Sequence, residues 1–365
     1  MIYISGLSIA LFISALLLNK KNRSKSDLFL FIWMLLMALH LYLFYVNFKG
    51  SPFKSPYLLS LPDVLPLLHG VFLYYYVSSI TNQFPKRNWV AWLHLTPSII
   101  GYMCIILFFK SSTAQRLHLY ENDEISYENF MNFGLILIFL SGIIYVAWSS
   151  VLLSKHKKKI RNQFSDIEEI NLKWLRLLTY GLGVVWCIVI FTNNDQYIFL
   201  GVSVFVILIG FFGVQQQTIF SGKKLVLEKF KAESLDNEQK EKYLSSGLGD
   251  KLAVKVHNDL IKLFTEDEYY KEMNLSLNDL ATKLDIHPNY LSQIINEKEG
   301  KNFYDFVNTF RVKEFKRLIK IPENKQYTLL ALAYDCGFNS KSSFNRYFKK
   351  STGKTPSQYA KAFVE

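Results

Sequence analysis

The chain changes its hydrophobic pattern near residue 215. Before that point, apolar residues run on with no polar face in seven segments: Ile2–Leu18, Leu28–Val46, Val64–Ile80, Trp89–Phe109, Phe130–Leu153, Trp174–Phe191 and Ile198–Val214. Each is close to the roughly 17–25 residues a helix needs to cross hydrocarbon. Beyond it, apolar residues recur at helical spacing among many charges, as in helices that bury one face. The pattern predicts an all-α chain in four parts. Residues 1–214 form a seven-helix transmembrane bundle, 215–249 a cytoplasmic connector, 250–274 a packing helix and lead-in, and 275–365 a polar helical module. Ile2–Leu18 is short enough for a signal peptide, but it lacks a basic leader and is followed by NKKNRSK rather than small residues. It is read as a retained first span.

Composition agrees with a membrane half and a polar half. Half the residues are hydrophobic and 16% aromatic, with 30 Phe and 22 Tyr, and the net charge of +12 favours anionic partners such as lipid headgroups or nucleic acid. Loop charges then set the orientation. Lys20, Lys21, Arg23 and Lys25, then Lys86 and Arg87, then Lys155, Lys157, Lys158, Lys159, Arg161 and Lys173 give twelve basic residues on one side. The opposite loops hold four: Lys49, Lys54, Lys110 and Arg116. The positive-inside rule puts the amino terminus outside and, after seven crossings, the carboxyl terminus in the cytoplasm.

The spans offer little chemistry. His40, His69 and His94 lie in or near apolar runs, beside Tyr74, Tyr75 and Tyr76. Ionisable groups at such depth raise the prospect of a ligand cavity, against the plainer reading of neutral rings packed between helices. They lack metal-ligand spacing, and Cys104, Cys187 and Cys336 lie too far apart for a zinc motif or disulfide framework. No cofactor or metal is expected, and no enzyme: the spans contain no catalytic triad, Gly-rich phosphate loop or acidic relay. The acidic loop Lys110–Asn129 is a candidate signal receiver or a solvated loop, and the basic start of the Ser154–Trp174 loop suits anionic lipid. In the connector, Leu225, Leu227, Phe230 and Leu235 sustain no heptad, so Gln215–Lys242 reads as a tether. From Asp250, Leu252, Val256, Leu260, Ile261 and Phe264 mark an amphipathic helix.

The last stretch contains one plan twice. In Leu277–Asn296, Leu280, Ala281, Leu284, Ile286, Leu291 and Ile294 take the apolar positions of a helix-turn-helix, with Asp285 in the turn and Pro288 opening the second helix. In Thr328–Lys350, Leu329, Leu330, Ala333, Phe338, Phe344 and Phe348 repeat them, with Gly337 in the turn and Ser340 as a cap. A joining helix, Asn302–Lys320, is capped by Asn302, stopped by Pro322 and striped with Phe303, Phe306, Val307, Phe310, Phe315, Leu318 and Ile319. Its length of about 26 Å suits two helices spaced about one DNA turn apart. The polar faces of the second helices are Asn289, Tyr290, Ser292, Gln293 and Asn296, and Lys341, Ser342, Ser343, Asn345, Arg346 and Lys349. Asn and Gln pair with adenine and Arg with guanine in the major groove, so Ser292, Gln293 and Arg346 are the chief base-reading candidates, while Lys349 and Lys350 suit phosphate. Residues 275–365 hold fifteen Lys or Arg against nine Asp or Glu, a net +6.

The double unit, above all GF-NSKSSFNRYFKKSTGKTPSQY from Gly337 to Tyr359, resembles the carboxyl-terminal domain of AraC/XylS-type bacterial transcription regulators. The resemblance covers Leu275–Phe363 and implies promoter DNA and RNA polymerase as partners. It places Asn289, Ser292, Gln293, Lys341, Ser342, Ser343, Asn345 and Arg346 at the duplex. The usual soluble sugar-binding domain of that family is missing, and the chain is more similar to membrane-anchored relatives with seven amino-terminal spans. Three readings follow: a one-component regulator whose bundle senses a ligand, a membrane transporter or enzyme with a nucleic-acid-binding tail, and a bundle that only anchors a constitutive regulator. Two reading helices in one chain make a homodimer optional.

Overall fold

The structure is a computed structural model that describes residues 2–49, 61–109, 125–168, 170–192, 194–215 and 250–361. It divides into two compact units, one of Met1–Ser154 with Leu172–Lys224 and one of Lys155–Asn171 with Leu225–Glu365. The described residues contain no β-ladder, only an isolated antiparallel bridge between Phe164 and Ser276.

The first unit is built from α1 (Ile2–Asn19), α2 (Lys25–Lys49), α3 (Leu61–Ile80), α4 (Asn88–Leu93), α5 (Thr96–Phe109), α6 (Ile125–Gln163), α7 (Lys173–Thr192) and α8 (Asp195–Gln215). Helix α1 packs on α2 and α8, α2 on α3, and α7 on α8. The bend into α2 is pinned by buried Asp27, which accepts from Lys20 Nζ at 2.8 Å and from the Ser24 amide and hydroxyl. Trp33, Met34, Met37 and Leu41 of α2 bury their side chains against Ala10, Ile13 and Leu17 of α1 and Phe205 and Val206 of α8. Among the described residues, five helices are long and apolar enough to cross a membrane: Ile2–Asn19, Lys25–Val46, Gly134–Gln163, Lys173–Thr192 and Asp195–Phe212.

The two remaining expected spans differ for separate reasons. Trp89–Phe109 is two helices, because Pro97 at the start of α5 restrains the residue before it and donates no amide. Helix α3 is continuous but polar for a span, carrying Asp63, His69, Tyr74, Tyr75, Tyr76, Ser78 and Ser79. Most of it is buried. His40 Nδ1 and His69 Nε2 lie 2.9 Å apart, both rings buried, with the edge of Phe199 against His40. His94 pairs instead with the Tyr145 hydroxyl at 3.0 Å. The histidines therefore sit as packed, hydrogen-bonded rings. The acidic loop up to Glu124 and the tether over 216–249 lie outside the described residues.

The second unit holds α9 (Asp250–Thr265), a 3₁₀ turn at Tyr269–Lys271, α10 (Leu277–Lys283), α11 (Pro288–Glu299), α12 (Phe303–Leu318), a 3₁₀ turn at Pro322–Gln326, α13 (Leu329–Asp335), α14 (Lys341–Thr352) and α15 (Pro356–Lys361). It has two apolar cores sharing one helix. Phe303, Phe306 and Val307 of α12 join Val256, Leu260, Phe264, Leu280, Ala281, Leu291 and Ile294 in the first core. Tyr304, Val312 and Phe315 of the same helix join Leu332, Ala333, Phe338, Phe344 and Phe348 in the second. Spacings of three and four residues place each set on its own side of α12, so the helix is buried on two sides. At α9, Val256, Leu260 and Phe264 are buried, but Leu252 is half exposed. The expected stripe is one turn shorter than its apolar residues.

Candidate nucleic-acid interface

The two halves of the second unit share a construction that can be followed atom by atom. Ser276 caps α10 by accepting from the Asp279 amide at 3.1 Å, and the Asp279 carboxylate returns to the Ser276 amide at 3.0 Å. Thr328 caps α13 in the same way, accepting from the Ala331 amide. Each short helix runs seven residues and then turns through a residue of positive φ, Asp285 at 54° and Gly337 at 92°. Each turn closes on the same backbone bond, Ile286 N–H to Ala281 O at 3.0 Å and Phe338 N–H to Ala333 O at 3.1 Å. Each second helix runs twelve residues to a left-handed glycine, Gly300 or Gly353. Gly337 carries a second demand: a Cβ there would lie 2.7 Å from the carbonyl oxygens of both Tyr270 and Lys271.

The repeat pairs the candidate residues. Ala281 matches Ala333, a shift of 52, and the turn of the second half is one residue longer, so positions on the second helices match at a shift of 53. Asn289, Tyr290, Ser292, Gln293 and Asn296 of α11 then correspond to Ser342, Ser343, Asn345, Arg346 and Lys349 of α14. Asn289, Gln293, Asn296, Lys341, Ser342, Asn345 and Lys349 are exposed, and Ser292 and Tyr290 are half-buried. Ser343 is a correction. It was expected on the polar face, yet only 1% of it is exposed, because its amide is the one that the Ser340 hydroxyl caps and its Cβ faces the core beside Phe344. The remaining side chains form one outward strip on each second helix.

The strips differ in charge. On α11, Gln293 Nε2 donates to Glu297 Oε1 at 2.8 Å and Asn296 Nδ2 to the Ser292 carbonyl at 2.7 Å, so the strip is amide-rich and carries no cation among its candidate residues. On α14, Lys341, Arg346, Lys349 and Lys350 make a cationic one. Lys350 Nζ lies 2.7 Å from Asp305, and Arg346 Nη1 lies 2.6 Å from Glu168 Oε2. The arrangement can address base edges through amides on one helix and guanines and phosphates through cations on the other.

Residues 280–362 match the model of a family described as a helix-turn-helix domain. The second unit contains a helix-turn-helix domain. The chain is 33% identical over 85 residues to an uncharacterized HTH-type transcriptional regulator, YobQ, of Bacillus subtilis, spanning 23% of this chain and 34% of that one. It is 31% identical over 97 residues to the uncharacterized HTH-type transcriptional regulator YijO of Escherichia coli, spanning 27% and 33%. It is 25% identical over 109 residues to the Msm operon regulatory protein of Streptococcus mutans, spanning 30% and 37%. The chain thus spans about a third of the length of these relatives. A solved structure of a protein of unknown function from Listeria innocua aligns at 30% identity with 29% of this chain and 95% of its own, with a TM-score of 0.25.

The helix-turn-helix domain has a component that the sequence pattern did not reveal. Residues 155–171, the end of α6 and the turn after it, belong to the second unit. Ile160, Ile167 and Ile170 are buried in its second core. Ser165 N–H donates to the Leu275 carbonyl at 3.1 Å, and Asn308 Nδ2 donates to the Ser165 carbonyl at 2.9 Å. Arg161 Nη2 reaches both carboxylate oxygens of Asp305 at 3.1 and 3.2 Å, and its guanidinium lies over the Tyr304 ring. Burial pushes the Tyr304 phenol above its ordinary value, and the Arg346 guanidinium beside it opposes that. Arg311, 1% exposed, donates to the carbonyls of Tyr270 at 2.8 Å and Glu272 at 2.7 Å and to the Ser165 hydroxyl at 3.3 Å. Burial brings that guanidinium down to about 10, still cationic at neutral pH. The segment's lysines alone suggest a lipid-contacting loop. The missed signal was the run Ile160, Phe164, Ile167 and Ile170, apolar at spacings of four, three and three.

Proposed function

We propose that the chain is a membrane-anchored, sequence-specific DNA-binding transcription regulator of the AraC type, with DNA read by α11 and α14. The observation that carries the reading is the repeat itself. It sets Asn289, Ser292, Gln293 and Asn296 at the same positions of one second helix as Ser342, Asn345, Arg346 and Lys349 of the other. Promoter DNA is the primary partner and RNA polymerase the second. The relatives named as transcription regulators support this assignment and a role other than catalysis. The test is selection of duplexes from a random pool by the full chain in lipid nanodiscs, followed by footprinting. Enrichment of one sequence is expected, and Arg346→Ala is expected to weaken its binding by about 1–3 kcal/mol and relax one base position. No enrichment from the pool would remove the reading.

The first unit is the anchor. Five apolar helices of spanning length support this, as do the large apolar side chains on the unit's own surface, among them Phe191, Trp92, Met103 and Ile100, each more than half exposed. Such a surface suits lipid rather than water. The proposed topology places the amino terminus outside, seven segments across the inner membrane, and the helix-turn-helix domain in the cytoplasm. A reporter enzyme fused after Glu365 is expected to be active only if it requires the cytoplasm, and periplasmic activity would overturn that topology.

A further inference from the structure

The recognition strip of α14 is not presented to solvent as a bare cationic face. Arg346, its strongest base-reading group, is 2.6 Å from Glu168. Glu168 belongs to the segment Lys155–Asn171, which is part of the same compact unit as the helix-turn-helix domain. The antiparallel bridge from Phe164 to Ser276 and the Ser165–Leu275 bond reach the start of the first half. Ser165 meets Asn308 and Arg311 on the joining helix. Ile167 and Ile170 enter the second core on either side of Glu168. His156 Nε2 closes the hairpin at 3.1 Å from the Ile170 carbonyl. A carboxylate is therefore held at the edge of the reading helix by apolar anchors on both flanks.

That placement has a chemical consequence. Pairing through Nη1 at 2.6 Å commits one edge of the five-donor guanidinium and offsets its charge, and a carboxylate left uncompensated at the duplex would repel the phosphates. DNA and Glu168 are rival acceptors for one side chain. We propose that residues 164–168, with Ile170 and Asn171, form an intramolecular strap that competes with DNA for Arg346 through Glu168. Because Ile167 and Ile170 are seated in the core, the exchange requires the Arg346 side chain to leave Glu168 and the Tyr304 hydroxyl beside it, and the strap remains docked. The strap is the continuation of α6, so a change in α6 has a covalent route to this pair. The inference rests on the DNA-binding reading given above and concerns the control of that same face.

A double-mutant cycle tests it. Wild type, Glu168→Gln, Arg346→Ala and the double variant are prepared as full chains in lipid nanodiscs. Their affinity is measured by fluorescence anisotropy on one labelled 40-base-pair duplex, an arbitrary length of about four turns, enriched from a random pool by wild type or Glu168→Gln. The glutamine keeps the shape of the side chain and removes its charge. Glu168→Gln is expected to bind roughly two- to tenfold more tightly than wild type, and the gain is expected to vanish on the Arg346→Ala background. An equal gain on both backgrounds would show only the loss of a negative charge and would overturn the strap. Absence of any gain, with wild type still binding, would overturn the strap and leave the DNA reading standing. If neither wild type nor Glu168→Gln enriches any duplex, both readings fall.

Discussion

Gly337 separates two kinds of glycine requirement within one domain. Three glycines of the helix-turn-helix domain have positive φ: Gly300 at 64°, Gly337 at 92° and Gly353 at 74°. Adding a methyl group at Gly300 or Gly353 meets no atom within 4 Å, so alanine there costs only backbone strain, about 1 kcal/mol. At Gly337 the new Cβ would sit 2.7 Å from two carbonyl oxygens, those of Tyr270 and Lys271. Neither is the end of a flexible side chain. Moving that turn also disturbs the bond from Arg311 Nε to the Tyr270 carbonyl, a charge-assisted bond in a buried site. Backbone strain of about 1–2 kcal/mol and loss of one such bond at about 1.5–3 kcal/mol give an expected cost of about 2.5–5 kcal/mol for Gly337→Ala. Native-state hydrogen exchange of the α12 amides, in the full chain in detergent, reads this directly, since α12 is common to both cores. Gly300→Ala and Gly353→Ala are the internal controls. If all three alanines cost the same, the close approach of the Tyr270–Lys271 backbone to Gly337 is wrong.

Two further predictions concern titratable groups of the same domain. Cys336 is fully buried, and burial pushes its thiol up to about 12. Alkylation of the native chain at pH about 8 followed by peptide mapping is therefore expected to leave Cys336 unmodified until denaturant is added, and rapid native labelling would contradict that burial. Glu314 is buried beneath Arg317, and the hydrogen bonds from Arg317 hold its carboxyl below the ordinary 4.5. A carboxyl whose folded value is depressed stabilises the fold above its unfolded value, and that stability is lost as pH falls through the folded one. Urea unfolding followed by circular dichroism is expected to weaken on acidification below about 4.5 in wild type, and less so in Glu314→Gln. An identical acid dependence in the two proteins would remove Glu314 from the explanation.

The helix-turn-helix halves were legible because their defining features are local. A capping serine or threonine, a turn residue of positive φ and apolar positions three and four apart are all written within about twenty residues. Asn302, Ser340, Pro288 and Gly337 each stand where their side-chain chemistry predicts, as cap, cap, first helical residue and turn. Expectation and structure part at a few positions, some for local and some for long-range reasons. Ser343 looks polar in a helical wheel but is buried at the cap of its own helix. Leu252 looks like part of a stripe but has no core opposite it. The break in Trp89–Phe109 is legible in Pro97, which stands at the start of the second helix.

Arg311 and the 155–171 segment show the other side of the boundary. An arginine in the middle of an amphipathic helix reads as surface charge, since isolated guanidinium burial is costly. Here three acceptors, two from the Tyr270–Glu272 turn and one from Ser165, make burial tolerable, and they lie about 40 and 146 residues away in sequence. The sequence by itself determined the helical class, the apolar first half, the twofold plan of the carboxyl-terminal domain and the strip of side chains on each second helix. Those follow from periodicity and backbone chemistry, which act over a few residues. Only the tertiary structure decided that a basic loop between two apolar segments supplies part of the second core, and that Arg346 meets a carboxylate from that loop. Such pairing depends on which distant surfaces come together, and no local pattern encodes that.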